Sequence, residues 1–417
     1  MLIRKRSFIE LLLPFTILAF LGQGTRFVDM THISVLKWVF LILLSLYALL
    51  NKKILSFLPF QQKFLLFIYL FWCIFTSLWS EVSLLSFSKS ALFALTVLTL
   101  ISVGSLWVIK LGLNRSLYWL GFIMVVVLLS GALGGGVSDN VVNIGQHGKG
   151  LYGGLSGNPN NLGFLAAIVS PLIIWNCYQV KEKRWSLLMW ILFLIADFHF
   201  LMMSYSRSAI AIFVSTTCFF VLSLPLSKKL LVTLGSLFCV AIFLLMMPVS
   251  LLETMAFKHV VKGSTDNQIF SSRQKVWEKS YQQAIEGGVF GGGFSVNIGQ
   301  RYVASHHYGR EKGNSQFAIL EETGAVGFFL YVIILIFFYR TAIPCFYRLI
   351  GSDKVVMGLV LGGISGLLLE SLVEAWWDSL GPEVICFWTF IGIAYGMIYL
   401  EKRKVRASYH KPDTATS

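Results

Sequence analysis

The feature that most constrains this chain is its succession of apolar segments, each long enough to cross a lipid bilayer. At about 20 apolar residues per crossing, segments near 8–24, 33–50, 62–80, 86–109, 115–134, 159–180, 185–203, 207–225, 229–250, 314–339, 354–373 and 384–400 qualify. The expected fold class is an all-α polytopic membrane protein with about twelve transmembrane helices and a large loop on the outer side, because only helices or closed barrels satisfy the backbone in hydrocarbon. Charged residues make up 13% of the chain, about half the roughly 25% usual in soluble domains, which excludes a soluble globular fold.

The 34 Lys and Arg residues exceed the 20 Asp and Glu by a net charge of +14, and in a membrane protein such an excess sets orientation before it implies any nucleic-acid partner. Arg4-Lys5-Arg6, Asn51-Lys52-Lys53, Lys110 with Arg115, Lys181-Glu182-Lys183-Arg184, Lys228-Lys229, Arg340 with Arg348, and Glu401-Lys402-Arg403-Lys404 fall on alternate connections. This alternation puts both termini in the cytoplasm. The apolar run after Arg4-Lys5-Arg6 reads as an uncleaved first helix, since no small-x-small cleavage site precedes Gly22. Residues 1–400 form one membrane domain and 401–417 a cytoplasmic tail. Five of the six cysteines sit in apolar runs, and Cys345 lies between Arg340 and Arg348, so packing is expected of them rather than disulfides or metal ligation.

Two connections are long, and both fall on the outer side: 135–158 and 251–313. The second carries Lys258, Lys262, Arg273, Lys275, Lys279, Arg301, Arg310 and Lys312 against Glu253, Asp266, Glu278, Glu286 and Glu311. Either a long loop translocates regardless of charge or the loop meets an anionic ligand outside.

Three segments open helices toward that same side. Ser206-Arg207-Ser208 places Arg207 in the first turn of an inward-running helix. A cation there opposes the helix dipole unless an anion shares the site with the free amides; the alternative is an arginine snorkelling to the interface. Asn158-Pro159-Asn160-Asn161 pairs an N-cap residue with a proline suited to the first helical position, and Gly313-Asn314-Ser315 opens the helix after the large loop in the same way. Within the loop, Arg273 to Ile285 reads as an amphipathic helix with Arg273, Trp277 and Tyr281 four apart on one face.

Candidate bases for a sugar hydroxyl are His306, His307 and the glutamates Glu321 and Glu322 early in the following helix, although such glutamates also complement the helix dipole. Glu370, Glu374 and Asp378 recur every fourth residue beside Trp376-Trp377, an acidic stripe suited to proton coupling or, with the tryptophans, to holding sugars. No clustered His, Cys and carboxylate set resembles a metal site, and neither a P-loop nor a dinucleotide fingerprint occurs.

Taken in chain order, Gly157-Asn158-Pro159-Asn160 with Leu162-Gly163, Ser206-Arg207-Ser208-Ala209, Arg273 with Trp277 followed by Gly291-Gly292-Gly293-Phe294, and Asn314-Ser315 with Leu320, Glu322, Gly324 and Gly327 resemble the O-antigen ligase and O-antigen polymerase superfamily of bacterial polysaccharide assembly. The resemblance implies glycan transfer from an undecaprenyl-pyrophosphate donor at the periplasmic face of the inner membrane, with neither metal nor other cofactor. The acceptor would be a second glycan or lipid A core, and other polysaccharide assembly proteins would be partners beside the lipid bilayer. It implies that Arg207 and Arg273 hold the pyrophosphate, with Asn158, Asn160 and Asn314 at neighbouring helix starts; Trp277, Trp376 and Trp377 are the aromatic candidates for the glycan. Ligases of this family commonly carry a histidine before the Asn of the last motif, where this chain has Gly313. The departure leaves His306, His307 and Glu322 as candidate bases, or no base at all, and favours a polymerase over a ligase. The competing class is a flippase of lipid-linked glycans, which twelve spans and the acidic stripe would suit.

Overall fold

A computed structural model describes residues 9–21, 30–50, 55–111, 113–133, 159–204, 206–225, 271–297, 312–377 and 380–409. The described residues form helices α1 (Ile9–Leu21), α2 (Met30–Leu50), α3 (Phe60–Phe75), α4 (Ser83–Leu111), α5 (Leu113–Leu133), α6 (Pro159–Gln179), α7 (Arg184–Met203), α8 (Arg207–Ser223), α9 (Ser271–Gly287), α10 (Ser315–Arg348), α11 (Gly351–Glu370) and α12 (Pro382–Tyr409), with no strand among them. Eleven of the twelve apolar segments singled out in the sequence fall on helices, and the run 229–250 lies outside the described residues.

On length and composition, seven described segments are able to cross a membrane: Phe60–Leu78, Ser83–Ile109, Asn160–Gln179, Arg184–Met203, Ser315–Arg348, Gly351–Glu370 and Pro382–Lys404. Leu12–Leu21, Val35–Leu50 and Arg207–Ser223 are apolar but shorter. Their outward faces are as hydrocarbon-rich as their inward ones: Phe60, Phe64, Phe67 and Phe71 form an exposed stripe along α3, as do Leu188, Ile191, Leu192 and Ile195 along α7. Such surface is stable only against lipid.

Without a hydrophobic drive between helices in lipid, close packing of small residues holds a bundle together. Gly358, Gly362 and Gly366 of α11 do this against α8. A Cβ at these positions would lie 2.8 Å from the Phe219 carbonyl oxygen, 2.6 Å from the Thr216 Cα and 2.6 Å from the Ile212 Cα. α4 and α12 approach as closely, and there Ser105 Oγ donates to the Gly392 carbonyl at 2.8 Å.

One end of the bundle collects basic residues. Arg348 at the end of α10 pairs with Glu401 of α12 at 2.7 Å, and Lys404 of α12 with Asp353 of α11 at 3.1 Å. The opposite end gathers the starts of α6, α8, α10 and α12, and there α10 is broken. Gly324 has φ 66° and ψ −173° inside the helix, a region open to glycine and hostile to a side chain. The turn after α9 fills the break. Gly292 and Gly293 amides donate to the Glu321 and Glu322 carbonyls at 2.8 and 3.0 Å, while Ala325 and Val326 amides donate to the Gly288 and Val289 carbonyls at 3.0 and 3.2 Å. Two indoles of the α3 region complete the interlock: Trp72 donates to the Thr323 carbonyl and Trp79 to the Gly291 carbonyl, each at 2.8 Å. An interrupted membrane helix is tolerated where protein satisfies the freed backbone groups, as it does here.

Candidate functional site

The site is a chain of contacts among helix ends that are distant in sequence. α6 begins at Pro159, and its first turns bear on the α7–α8 connection: a Cβ on Gly163 would meet Ser204 Oγ at 2.5 Å and Ser206 Cβ at 2.7 Å. Ser206 is the N-cap of α8, its hydroxyl accepting from the Ala209 amide at 3.4 Å, and Arg207 is the first helical residue, half-buried. The Ser208 hydroxyl lies 3.3 Å from that of Ser206 and donates to the Glu370 carboxylate at the end of α11. Directly after Glu370, the Ser371 carbonyl accepts from the Ser315 amide at 2.9 Å and its hydroxyl from Gln316 Nε2 at 2.8 Å. This joins α11 to the start of α10, where Asn314 caps the helix by accepting the Phe317 amide at 2.8 Å. The Gly313 carbonyl accepts from Trp277 Nε1 at 2.9 Å, and its amide donates to Ser280 Oγ of α9 at 2.8 Å.

Asn160, Arg207, Asn314 and Trp277 therefore belong to one end of the molecule. Asn160 is exposed on the first turn of α6. Arg273 lies on α9 one turn before Trp277, at the position the amphipathic pattern assigns, and its side chain is outside the described residues, as are Asn158, His306, His307 and Asp378.

Other expected site residues sit in settings that the sequence does not suggest. Glu322 is 1% exposed, its Oε2 accepts from the Ser295 amide at 2.8 Å, and its Oε1 forms an ion pair with Lys312, itself 5% exposed. Lys312 also stands 4.0 Å from Glu321. Held by an ammonium and a backbone amide, the Glu322 carboxylate ties the end of the large loop to α10. Trp377 is 1% exposed, donates to the Tyr69 hydroxyl at 2.7 Å, and is ringed by Tyr331, Trp388, Phe387 and Phe93. Trp376 is buried against Trp377 and Phe387. As they stand, both indoles are core residues, and Trp277 is the aromatic that remains at the site's surface.

The acidic stripe also takes another form. α11 stops at Glu370, and Val373 and Glu374 amides fold back onto the Glu370 carbonyl, each at 2.9 Å. Glu374 is thus in a turn, not one helical turn further along a face. The Lys312–Glu322 pair leaves no mark in the sequence, because a spacing of ten residues across a helix start has no periodic signature. The glycine stripe of α11, regular at every fourth residue, was the available signal that α8 and Glu370 would meet.

Gly313 has a steric reason to be glycine, since a Cβ there would collide with the Trp277 ring and approach the Trp277 Cα at 3.1 Å. A Gly313→Ala substitution is expected to destabilise the protein by about 1–3 kcal/mol through overpacking, and Gly313→His by more. Thermal unfolding of the detergent-solubilised variants measures this, and an unchanged midpoint for both would mean that Trp277 yields freely.

No protein-family model matches the chain, and no curated protein matches it.

Proposed function

We propose that the protein transfers a glycan from an undecaprenyl-pyrophosphate carrier to the hydroxyl of a second lipid-linked glycan, at the periplasmic face of a bacterial inner membrane crossed about twelve times. Support comes from one observation: four helix N-termini, Arg207 and a loop helix carrying Arg273 and Trp277 gather at a single bundle end, opposite the end with the Arg348 and Lys404 ion pairs. Free amides and positive dipole ends bind phosphate, and a guanidinium adds a charge-assisted fork. The leaving group is a phosphoric anhydride, and charge builds on it as the anomeric C–O bond breaks. Preorganised donors aimed at that charge lower the barrier without reorganisation, which supplies the stabilisation that a metal ion would otherwise give. Gly313, packed under Trp277, favours a polymerase over a ligase that uses a histidine there.

The purified protein incubated with undecaprenyl-pyrophosphate glycan alone is expected to lengthen the glycan and release the carrier. Reaction only after addition of lipid A core would make it a ligase. The second reading, a flippase, has its own support in Asp197 of α7, a carboxylate 0% exposed inside the bundle and bonded to Ser170 of α6 at 2.8 Å, since intramembrane carboxylates often mark transport paths. Carrier release under neither condition would favour it.

Orientation is testable separately. Cysteines placed at Gly145 and Thr265 are expected to react with a membrane-impermeant thiol reagent in spheroplasts, and cysteines at Glu182 and Arg403 to be protected. The reverse pattern would put Arg207 in the cytoplasm and end the periplasmic reading.

A further inference from the structure

Transfer to a hydroxyl needs a group that takes its proton. The described acidic side chains of this end include Glu321, Glu374 and Glu383, the last two close to Glu370; Glu322 has both oxygens engaged, by Ser295 and Lys312. Glu370 differs. It is 5% exposed, accepts from Ser208, and its Oε2 has no hydrogen-bond partner among the described residues. A buried carboxylate oxygen left unsatisfied is costly, and an O–H that reached it would relieve that cost.

The position of Glu370 is also specific. It closes α11 at the point where that helix touches the starts of two others: Ser208 on α8 holds its carboxylate, and the next residue, Ser371, bonds Ser315 and Gln316 on α10. Gln316 Oε1 is a second buried acceptor atom there without a partner among the described residues. Arg207 is adjacent to Ser208 and half-buried, on the first turn of α8. The glycine stripe of α11 holds α8 in contact.

Resting on the transfer reading above, we infer that Glu370 is the catalytic base for the acceptor, entered over the half-exposed Arg207 and Ser208. Its carboxylate removes the hydroxyl proton while that oxygen's lone pair forms the bond to the anomeric carbon. The anomeric carbon–phosphate oxygen bond breaks, and its electron pair leaves on undecaprenyl pyrophosphate beside Arg207. Protonated Glu370 then returns its proton to water. Ser206 and Ser208 keep the carboxylate oriented through their linked hydroxyls.

The test uses full-length protein in liposomes, with undecaprenyl pyrophosphate as the binding probe and lipid-linked glycan from the producing cells as substrate. Glu370→Gln keeps shape and hydrogen bonding but cannot accept a proton, and it should lower turnover about 10²- to 10⁴-fold while binding undecaprenyl pyrophosphate within about threefold of wild type. Glu370→Asp, which keeps the carboxylate, should recover part of the rate. At azide concentrations where the wild type forms glycosyl azide, Glu370→Gln should transfer to azide nearly as well, because azide has no proton to lose. Near-normal chain growth in Glu370→Gln, or equal losses with glycan and azide, overturns the assignment and leaves the transfer reading standing. A wild type that releases no carrier overturns both.

Discussion

Replacing Arg207 with alanine is expected to slow glycan transfer about a hundredfold or more while the protein stays folded in the membrane. Arg207 is the first residue of α8, directly after the Ser206 cap, in the turn whose amides the helix itself leaves without carbonyl partners. Alone, that charge opposes the dipole; with a phosphate bound, guanidinium and dipole act on the same oxygens. Loss of one charge-assisted donor to a developing anion costs several kcal/mol in the transition state. Lysine should restore only part of the rate, because it lacks the planar fork. Arg273→Ala should behave alike, since Arg273 lies one turn before Trp277 on α9. Chain elongation in proteoliposomes, with binding of undecaprenyl pyrophosphate and thermal unfolding as controls, measures the effect, and wild-type rates in either variant remove that arginine from the site.

A Lys312→Met substitution should destabilise the protein by about 3–5 kcal/mol. The ammonium of Lys312 is buried with the carboxylates of Glu322 and Glu321, and removing it strands buried negative charge. Glu322→Gln should cost less, because Lys312 keeps Glu321 within 4.0 Å. The double variant Lys312→Met with Glu322→Gln should recover part of the loss, but not all, since Glu321 stays charged. Thermal unfolding in detergent and protease protection of the segment around Ser295 report the order. A double variant no better than Lys312→Met would mean that the two side chains do not act as a pair.

The spans were legible because in lipid both faces of a helix are apolar, so Phe60, Phe64, Phe67 and Phe71 signal a crossing although none is core. The helix starts at Ser206 and Asn314 were legible because capping is a local bargain between a side chain and an amide three residues on. What escaped depends on partners far along the chain. Residues 314–339 read as one uninterrupted span, since a single glycine in an apolar helix is tolerated; only the docked turn at 288–293 shows Gly324 to be a break. Gly291-Gly292-Gly293 carried no signal beyond flexibility until the Glu321 and Glu322 carbonyls were seen across from them. Trp376 and Trp377 looked like sugar platforms beside acids, but Tyr69 and Tyr331, remote in sequence, enclose Trp377, and Trp376 packs against Trp377 and Phe387.

The interlock at Gly324 also sets an order of events during biogenesis. The amino-terminal stretch of α10 depends for its backbone partners on Gly288 to Gly293 and on Trp72, which precedes Thr323 by 251 residues. A chain emerging from the ribosome has α3 in the membrane long before Thr323 is synthesised, and the Gly292 and Gly293 amides have to wait for the Glu321 and Glu322 carbonyls that follow them in the chain. Closure comes only when α10 has been threaded, late in synthesis, and it then draws α9 against the start of α10. The end of the molecule that carries Arg207 and Trp277 is thus built late, and an insertion intermediate arrested before α10 holds its earlier helices without that end assembled.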